Sequence, residues 1–117
     1  MMYVTTLDVM GLTAGEYRAV LDKMGVEARP ASHIFLHLTT PIDGGYRIVE
    51  LWDSQEGFQE FLEKRLGPAN EALGLNRRTT ITVTPLHNFF APRLTELPGI
   101  VPTLPGAPHS EARTSAH

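Results

Sequence analysis

The stretch from Ser32 to Pro68 constrains the fold of this chain most. It holds two runs in which residue character alternates, separated by Asp43-Gly44-Gly45 and followed by a segment with helical spacing. Alternation of period two is the mark of a strand with two distinct faces. Aspartate and glycine together supply the tight turn that joins two such strands. A β-hairpin that feeds directly into a helix is therefore expected. On the first arm Ile34, Leu36 and Leu38 point one way, and His33, Phe35, His37 and Thr39 the other. On the second arm Val49 and Leu51 share a face, and Tyr46, Ile48, Glu50 and Trp52 share the opposite one. With Asp43-Gly44 as the loop, His37 lies opposite Glu50 and Phe35 opposite Trp52. With Gly44-Gly45 as the loop, His37 meets Trp52.

Both registers keep the same two faces. One is aliphatic and the other mixes aromatic and ionisable groups. A sheet that is half apolar on both sides is covered on both. Helices are expected on the aliphatic face, and something else on the mixed one. Ser54 is an N-cap candidate, with Gln55 and Glu56 in the first turn. Phe58, Phe61, Leu62 and Leu66 then recur as a buried stripe. Gly67-Pro68 is expected to interrupt this helix, and Ala69 to Leu73 to form a second short piece ended by Gly74.

The flanking segments complete the pattern. Met2 to Met10 alternates as a first strand. Thr13 and Glu16 form a capping box for a helix that runs to Met24 and stops at Gly25. Arg77 to Leu86 is rich in β-branched residues and reads as a fourth strand, with Thr80, Thr82 and Thr84 on one face and Ile81 and Val83 on the other. The order β-α-β-β-α-β is that of a ferredoxin-like α+β fold, a four-stranded antiparallel sheet with both helices on one side. The aromatic side, with Phe35, Tyr46, Ile48 and Trp52, is expected to be covered by a second copy of the chain, giving a dimeric α+β barrel. This domain is expected over residues 1–88. Residues 89–117 hold more than half of the nine prolines. They are expected to form an arm that is extended as far as Leu104, packed on the body or on a neighbouring subunit, and disordered from about Gly106.

Composition excludes several functions. The chain has 117 residues, enough for one domain, and no cysteine, which removes disulfides, thiolate nucleophiles and cysteine-ligated metals. A net charge of −3, without a basic face, argues against nucleic acid. No run of about 20 apolar residues exists to span a membrane. The start of the chain lacks a secretory pattern, so the expected location is the cytoplasm. No glycine-rich phosphate loop follows a strand.

Trp52-Asp53-Ser54-Gln55-Glu56-Gly57-Phe58, followed by Phe61, resembles the Trp-x-Ser-x-x-x-Phe signature of antibiotic biosynthesis monooxygenase-like proteins, members of the dimeric α+β barrel superfamily. Leu66-Gly67-Pro68 and His87-Asn88 resemble small actinobacterial-type members. The resemblance covers about residues 1–90. It implies a homodimer, and it implies that Trp52 lines a pocket for a hydrophobic, aromatic or polyketide-like molecule. The reactions it implies are cofactor-free oxygenation, cyclisation or isomerisation, so no cofactor is expected. Two departures stand out. The family's asparagine on the first strand is replaced by Thr5, Thr6 and Asp8 in that region. The heme-degrading branch draws an axial histidine from the second helix, where this chain has none between Trp52 and Gly74.

The candidate catalytic pair is His37 with Glu50. A carboxylate facing an imidazole orients the ring and raises its basicity, as a general base requires. The alternative is a structural pair at the interface or barrel mouth. Trp52, Phe35, Tyr46, Ile48, His33 and His87 are the candidate substrate-binding residues. His33, His37 and Glu50 also have the spacing of a partial metal site, without a fourth strong ligand, and no metal is expected. A non-catalytic ligand-binding or interaction dimer is the main alternative, and a heme or metal protein the next. His109 and His117 are expected to play no part.

Overall fold

The computed structural model describes residues 1–108. His109, His117 and most of the segment expected to be disordered lie outside them. The chain divides into two compact units, Met1–His87 and Asn88–His117.

The first unit has the expected element order. Strand β1 is Tyr3–Met10, helix α1 Ala14–Met24, β2 Ile34–Ile42, β3 Gly45–Trp52 and β4 Thr79–Pro85. The sheet order is β2-β3-β1-β4, with every pair antiparallel. Helix α1 has the full capping box: the Thr13 hydroxyl accepts from the Glu16 backbone N–H, and the Glu16 carboxylate accepts from that of Thr13. It ends at Gly25, which adopts a left-handed φ of 68°. Ile42 pairs with Gly45, so Asp43-Gly44 is the loop, and Gly44 alone of the two takes a positive φ, 82°.

Three expectations about the first unit are corrected. The first concerns register. His37 does lie opposite Glu50, but Ile34, not Phe35, lies opposite Trp52. One extra residue, Phe35, bulges out between Ile34 and Leu36 and is 60 % exposed. The bulge reverses the alternation beyond it and turns Ile34 toward Trp52.

The second concerns which face the helices cover. The core cluster joins Leu7, Trp52 and the partly buried Val9, Ile34 and Ile48 of the sheet to Val20, Leu21 and Met24 of α1 and to Phe58, Phe61 and Ala69 beyond β3. The helices thus sit on the mixed face, and Leu36, Leu38, Val49 and Leu51 point to the other side. The hairpin alone left its faces nearly balanced. Strands β1 and β4 together tip the balance: the mixed face gains Leu7, Val9, Ile81 and Val83, while the aliphatic one gains Val4 and Met10 but also Thr6, Asp8, Thr80, Thr82 and Thr84. Asp8 there forms a bidentate pair with Arg47, at 2.7 and 2.9 Å, across the strands.

The third concerns Gly67-Pro68, which does not break the helix. Helix α2, Gln55–Phe61, passes through a π-helical turn, Leu62–Leu66, directly into α3, Gly67–Ala72. Gly67 keeps helical angles (φ −57°, ψ −53°), and its N–H reaches back five residues to the Leu62 carbonyl. The wider turn places Pro68 at the start of a new α-helical run, where its missing N–H leaves no broken ladder bond. Arg65 projects from this turn and donates to the carbonyls of Arg29 and Met24, at 2.7 and 2.8 Å, binding the end of α1.

The second unit is not an extended arm. It carries 3₁₀ turns at Leu94–Glu96 and Val101–Thr103 around a short helix, α4, Leu97–Ile100. Pro98 and Pro102 occupy first-turn positions, where proline favours helical φ rather than opposing it.

Gly57 gives a test of packing. A Cβ there would overlap the Cβ of His33, and both atoms are fixed by backbone. We expect Gly57→Ala to cost about 1–3 kcal/mol by urea denaturation, although alanine is the better helix former. A gain in stability would show that the His33 segment moves aside freely.

Candidate functional site

The site is built on the covered face of the hairpin. Register places His37 beside Glu50, and the imidazole Nδ1 lies 2.8 Å from Glu50 Oε2. Glu50 is 4 % exposed. An unpaired carboxylate at that depth is strongly disfavoured. Two further donors serve it. Trp52 Nε1 donates to Glu50 Oε1 at 3.3 Å and to Thr5 Oγ1 at 3.2 Å, and the Thr5 hydroxyl donates to the same carboxylate oxygen over a long 3.5 Å. Thr5 and Trp52 are fully enclosed, and the indole packs edge-on against Phe58 and tilted against Phe61.

The far side of the imidazole meets two hydroxyls. Tyr17 Oη lies 2.7 Å and Thr39 Oγ1 3.0 Å from His37 Nε2, and the Thr39 hydroxyl donates to Tyr17 Oη at 2.8 Å. Tyr17 comes from α1, and its ring lies nearly parallel to those of His37 and Tyr46, at centroid distances of 6.0 and 6.3 Å. An ionised Glu50 only accepts, so Nδ1 carries the ring hydrogen. In the neutral ring Nε2 is then an acceptor facing Tyr17.

A cavity of about 70 Å³ lies between sheet and helices. Its walls are mostly aliphatic, from β1, α1 and β3, with Phe61 and Leu66 on the α2–α3 side. Polar groups enter it at Tyr17, His37 and Glu50, and also at Asn70, Arg77 and Thr79. It has room for a few waters. A ligand of several rings is larger than this cavity.

Of the residues singled out in the sequence, His37, Glu50 and Ile48 line this cavity. The other five lie elsewhere. Trp52 is behind Glu50 rather than in the cavity wall, because its N–H is used on the carboxylate and on Thr5. Phe35 is on the exposed bulge. Tyr46 backs Tyr17. His33 pairs with Asp53, its Nδ1 2.9 Å from Oδ1, as the bulge separates it from His37. His87 follows β4 and is exposed. Among the described residues no group of three histidine, aspartate or glutamate side chains could hold a metal ion. Sequence reasoning missed Thr5, Thr39 and the role of Tyr17. Tyr17 stood in the apolar stripe of α1, and a helical period carries no signal that its hydroxyl meets an imidazole on another element.

Burial, first of all, holds the Tyr17 hydroxyl above the ordinary tyrosine value of 10.0, and the charges of Glu27 and Glu50 act in the same direction, while the Thr39 hydrogen bond and Arg18 oppose them. The sign of the consequence follows by linkage. Above about pH 10 the unfolded chain ionises this group first, so its stabilising contribution, complete below that pH, is lost as the pH rises through the raised folded value. In alkaline denaturation series we expect the wild type to lose stability more steeply above pH 10 than Tyr17→Phe. Equal slopes would mean that the folded site does not perturb the phenol. Glu50→Ala leaves the imidazole Nδ1–H, the indole N–H and the Thr5 hydroxyl without their shared acceptor. We expect a loss of about 2–4 kcal/mol by chemical denaturation, and a loss below about 0.5 kcal/mol would assign the network no structural weight.

No protein-family model matches the chain, and no curated protein matches it in sequence. Solved structures do match in fold. Rv0793 from Mycobacterium tuberculosis is 19 % identical, with a TM-score of 0.58 over 78 % of this chain and 100 % of that one. A protein from Deinococcus radiodurans, described as an antibiotic biosynthesis monooxygenase, is 20 % identical, with a TM-score of 0.56 over 78 % and 97 %. SnoaB from Streptomyces nogalater, described as a cofactor-independent oxygenase, is 15 % identical, with a TM-score of 0.53 over 75 % and 93 %. Sheet order, helix placement and these matches together give the chain the ferredoxin-like α+β fold of the antibiotic biosynthesis monooxygenase-like proteins.

Proposed function

We propose that this protein binds an aromatic or polyketide-like small molecule between the sheet and the helices, and that His37, oriented by Glu50, moves a proton on it. The observation that carries this reading is the 2.8 Å contact between a half-buried imidazole and a buried carboxylate at the edge of an apolar cavity. Glu50 holds the ring in one tautomer and stabilises the imidazolium that forms when Nε2 takes a proton. Trp52 and Thr5 hold Glu50. The remaining residues singled out in the sequence, Phe35, Tyr46, His33 and His87, enter this reading as outer contacts only, with Tyr46 supporting the Tyr17 ring.

Deprotonating a phenol or an activated carbon leaves an electron-rich anion, and two exits follow. Reprotonation at another position, or attack within the substrate, gives an isomer or a cyclised product with no net redox change. Reaction with dioxygen converts an activated CH2 to C=O, with one oxygen atom retained in the product and the other released as water. Neither exit needs a metal or an organic cofactor. SnoaB, of the same fold, is described as a cofactor-independent oxygenase, which favours the second exit. The reading includes a homodimer formed through the sheet face turned away from the helices, where Leu38 is half exposed.

The test is oxygen uptake by the purified protein with an anthrone such as 1,8-dihydroxyanthrone, in parallel with His37→Ala and Glu50→Gln. We expect His37→Ala to lower kcat by about 100-fold or more, with Glu50→Gln intermediate. Unchanged turnover in both variants would remove the proton-transfer role and leave a ligand-binding protein. A monomer by sedimentation equilibrium would remove the dimer.

A further inference from the structure

We propose that Tyr17 is a catalytic residue, whose hydroxyl relays the proton between the bound substrate and His37. The inference rests on the function proposed above and deepens it. The starting point is that His37 Nε2, the nitrogen a general base would use, is already occupied. Tyr17 Oη and Thr39 Oγ1 lie 2.7 and 3.0 Å from it. Tyr17 and His37 both line the cavity, whereas Thr39 does not. A substrate proton therefore reaches Nε2 either through Tyr17 or after Tyr17 has been displaced.

The hydrogen-bond directions favour passage through Tyr17. Glu50 fixes the hydrogen on Nδ1, so in the neutral ring Nε2 accepts from Tyr17 Oη. The Thr39 hydroxyl donates to Tyr17 Oη at 2.8 Å, so the phenolic oxygen uses its own hydrogen on His37 and keeps a lone pair for the cavity. Displacement is opposed by packing. The phenol ring lies nearly parallel to those of His37 and Tyr46, and its helix is tied down by the Arg65 contacts to Met24 and Arg29.

The step balances as follows. The substrate O–H or activated C–H bond breaks and its electron pair stays on the substrate. The proton bonds to Tyr17 oxygen while the original Tyr17 proton passes to His37 Nε2. Tyr17 is a neutral phenol before and after, and the imidazolium faces the Glu50 carboxylate. Reversal of the two transfers resets the site. Burial holds the phenol protonated, so that it donates and accepts in concert and does not stand as a free phenolate. The substrate class that fits is an apolar, ring-bearing molecule whose acidic hydrogen meets Tyr17 while its hydrocarbon body lies against Leu7, Val20 and Leu21.

The test compares Tyr17→Phe, His37→Ala and the double variant in the anthrone assay, after circular dichroism has checked that each is folded. We expect Tyr17→Phe to lower kcat by about 100-fold with KM within about threefold, and the double variant to be little worse than His37→Ala, because the two residues act in one path. A Tyr17→Phe variant as fast as wild type, or faster, beside a slow His37→Ala would overturn the relay and leave His37 as the base. Wild-type rates in both single variants would overturn the relay together with the function it rests on. Nitrogen-15 NMR of wild-type His37 at mildly alkaline pH decides independently of turnover. A neutral ring with its hydrogen on Nδ1 supports the relay, and a hydrogen on Nε2 overturns it.

Discussion

The Glu50 carboxylate is the interaction on which the rest of the first unit depends. At 4 % exposure it has lost its water, and three side chains from three strands replace it: Thr5 from β1, His37 from β2 and Trp52 from β3. A residue with no acceptor at this position would leave the imidazole N–H unpaired and the indole N–H with the Thr5 hydroxyl alone. The three strands are thus held at one point by polar bonds and around it by the apolar cluster. In the proposed function, catalysis and stability share the same atoms, because the acceptor that satisfies the core also orients the imidazole at the cavity edge.

The wall opposite the sheet has a different character. A continuous helical path from Gln55 to Ala72 changes to π geometry across Leu62–Leu66 and returns to α geometry at Gly67. The wide turn accommodates Pro68, and Leu66 on one side of it and Asn70 beyond it both face the cavity. Arg65 anchors the same turn to the end of α1 through two carbonyls. This wall therefore combines an irregular backbone with a fixed attachment.

The two sheet faces show how the neighbouring strands settle a choice that a hairpin leaves open. Leu36, Leu38, Val49 and Leu51 make an apolar row, yet the helices lie on the side of His37, Glu50 and Trp52. Taken over the whole sheet, the row of leucines gains Val4 and Met10 but borders Thr6, Asp8, Thr80, Thr82 and Thr84, while the other side gains Leu7, Val9, Ile81 and Val83. Burial follows the summed apolar area of a face, not that of one hairpin. The polar groups on the covered side are tolerated because they satisfy one another.

Strand alternation, the Thr13–Glu16 capping box, the glycine stops and the Asp43-Gly44 turn are local signals, so the sequence by itself determined the elements, their order and the α+β class. It narrowed the partner of His37 to Glu50 or Trp52, since each choice of loop fixes one register, and the Asp43-Gly44 loop of the folded chain selects Glu50. Beyond it the register was lost at Phe35, because a bulge depends on what lies above and below the strand. Tertiary structure alone decided which face is covered, that Trp52 sits behind the carboxylate, that His33 turns to Asp53, and that Tyr17 and Thr39 meet at His37 Nε2. These contacts join residues 17, 37 and 39, or 5, 50 and 52, across separate elements. Their positions follow from how helix and sheet pack, and no local period encodes that distance.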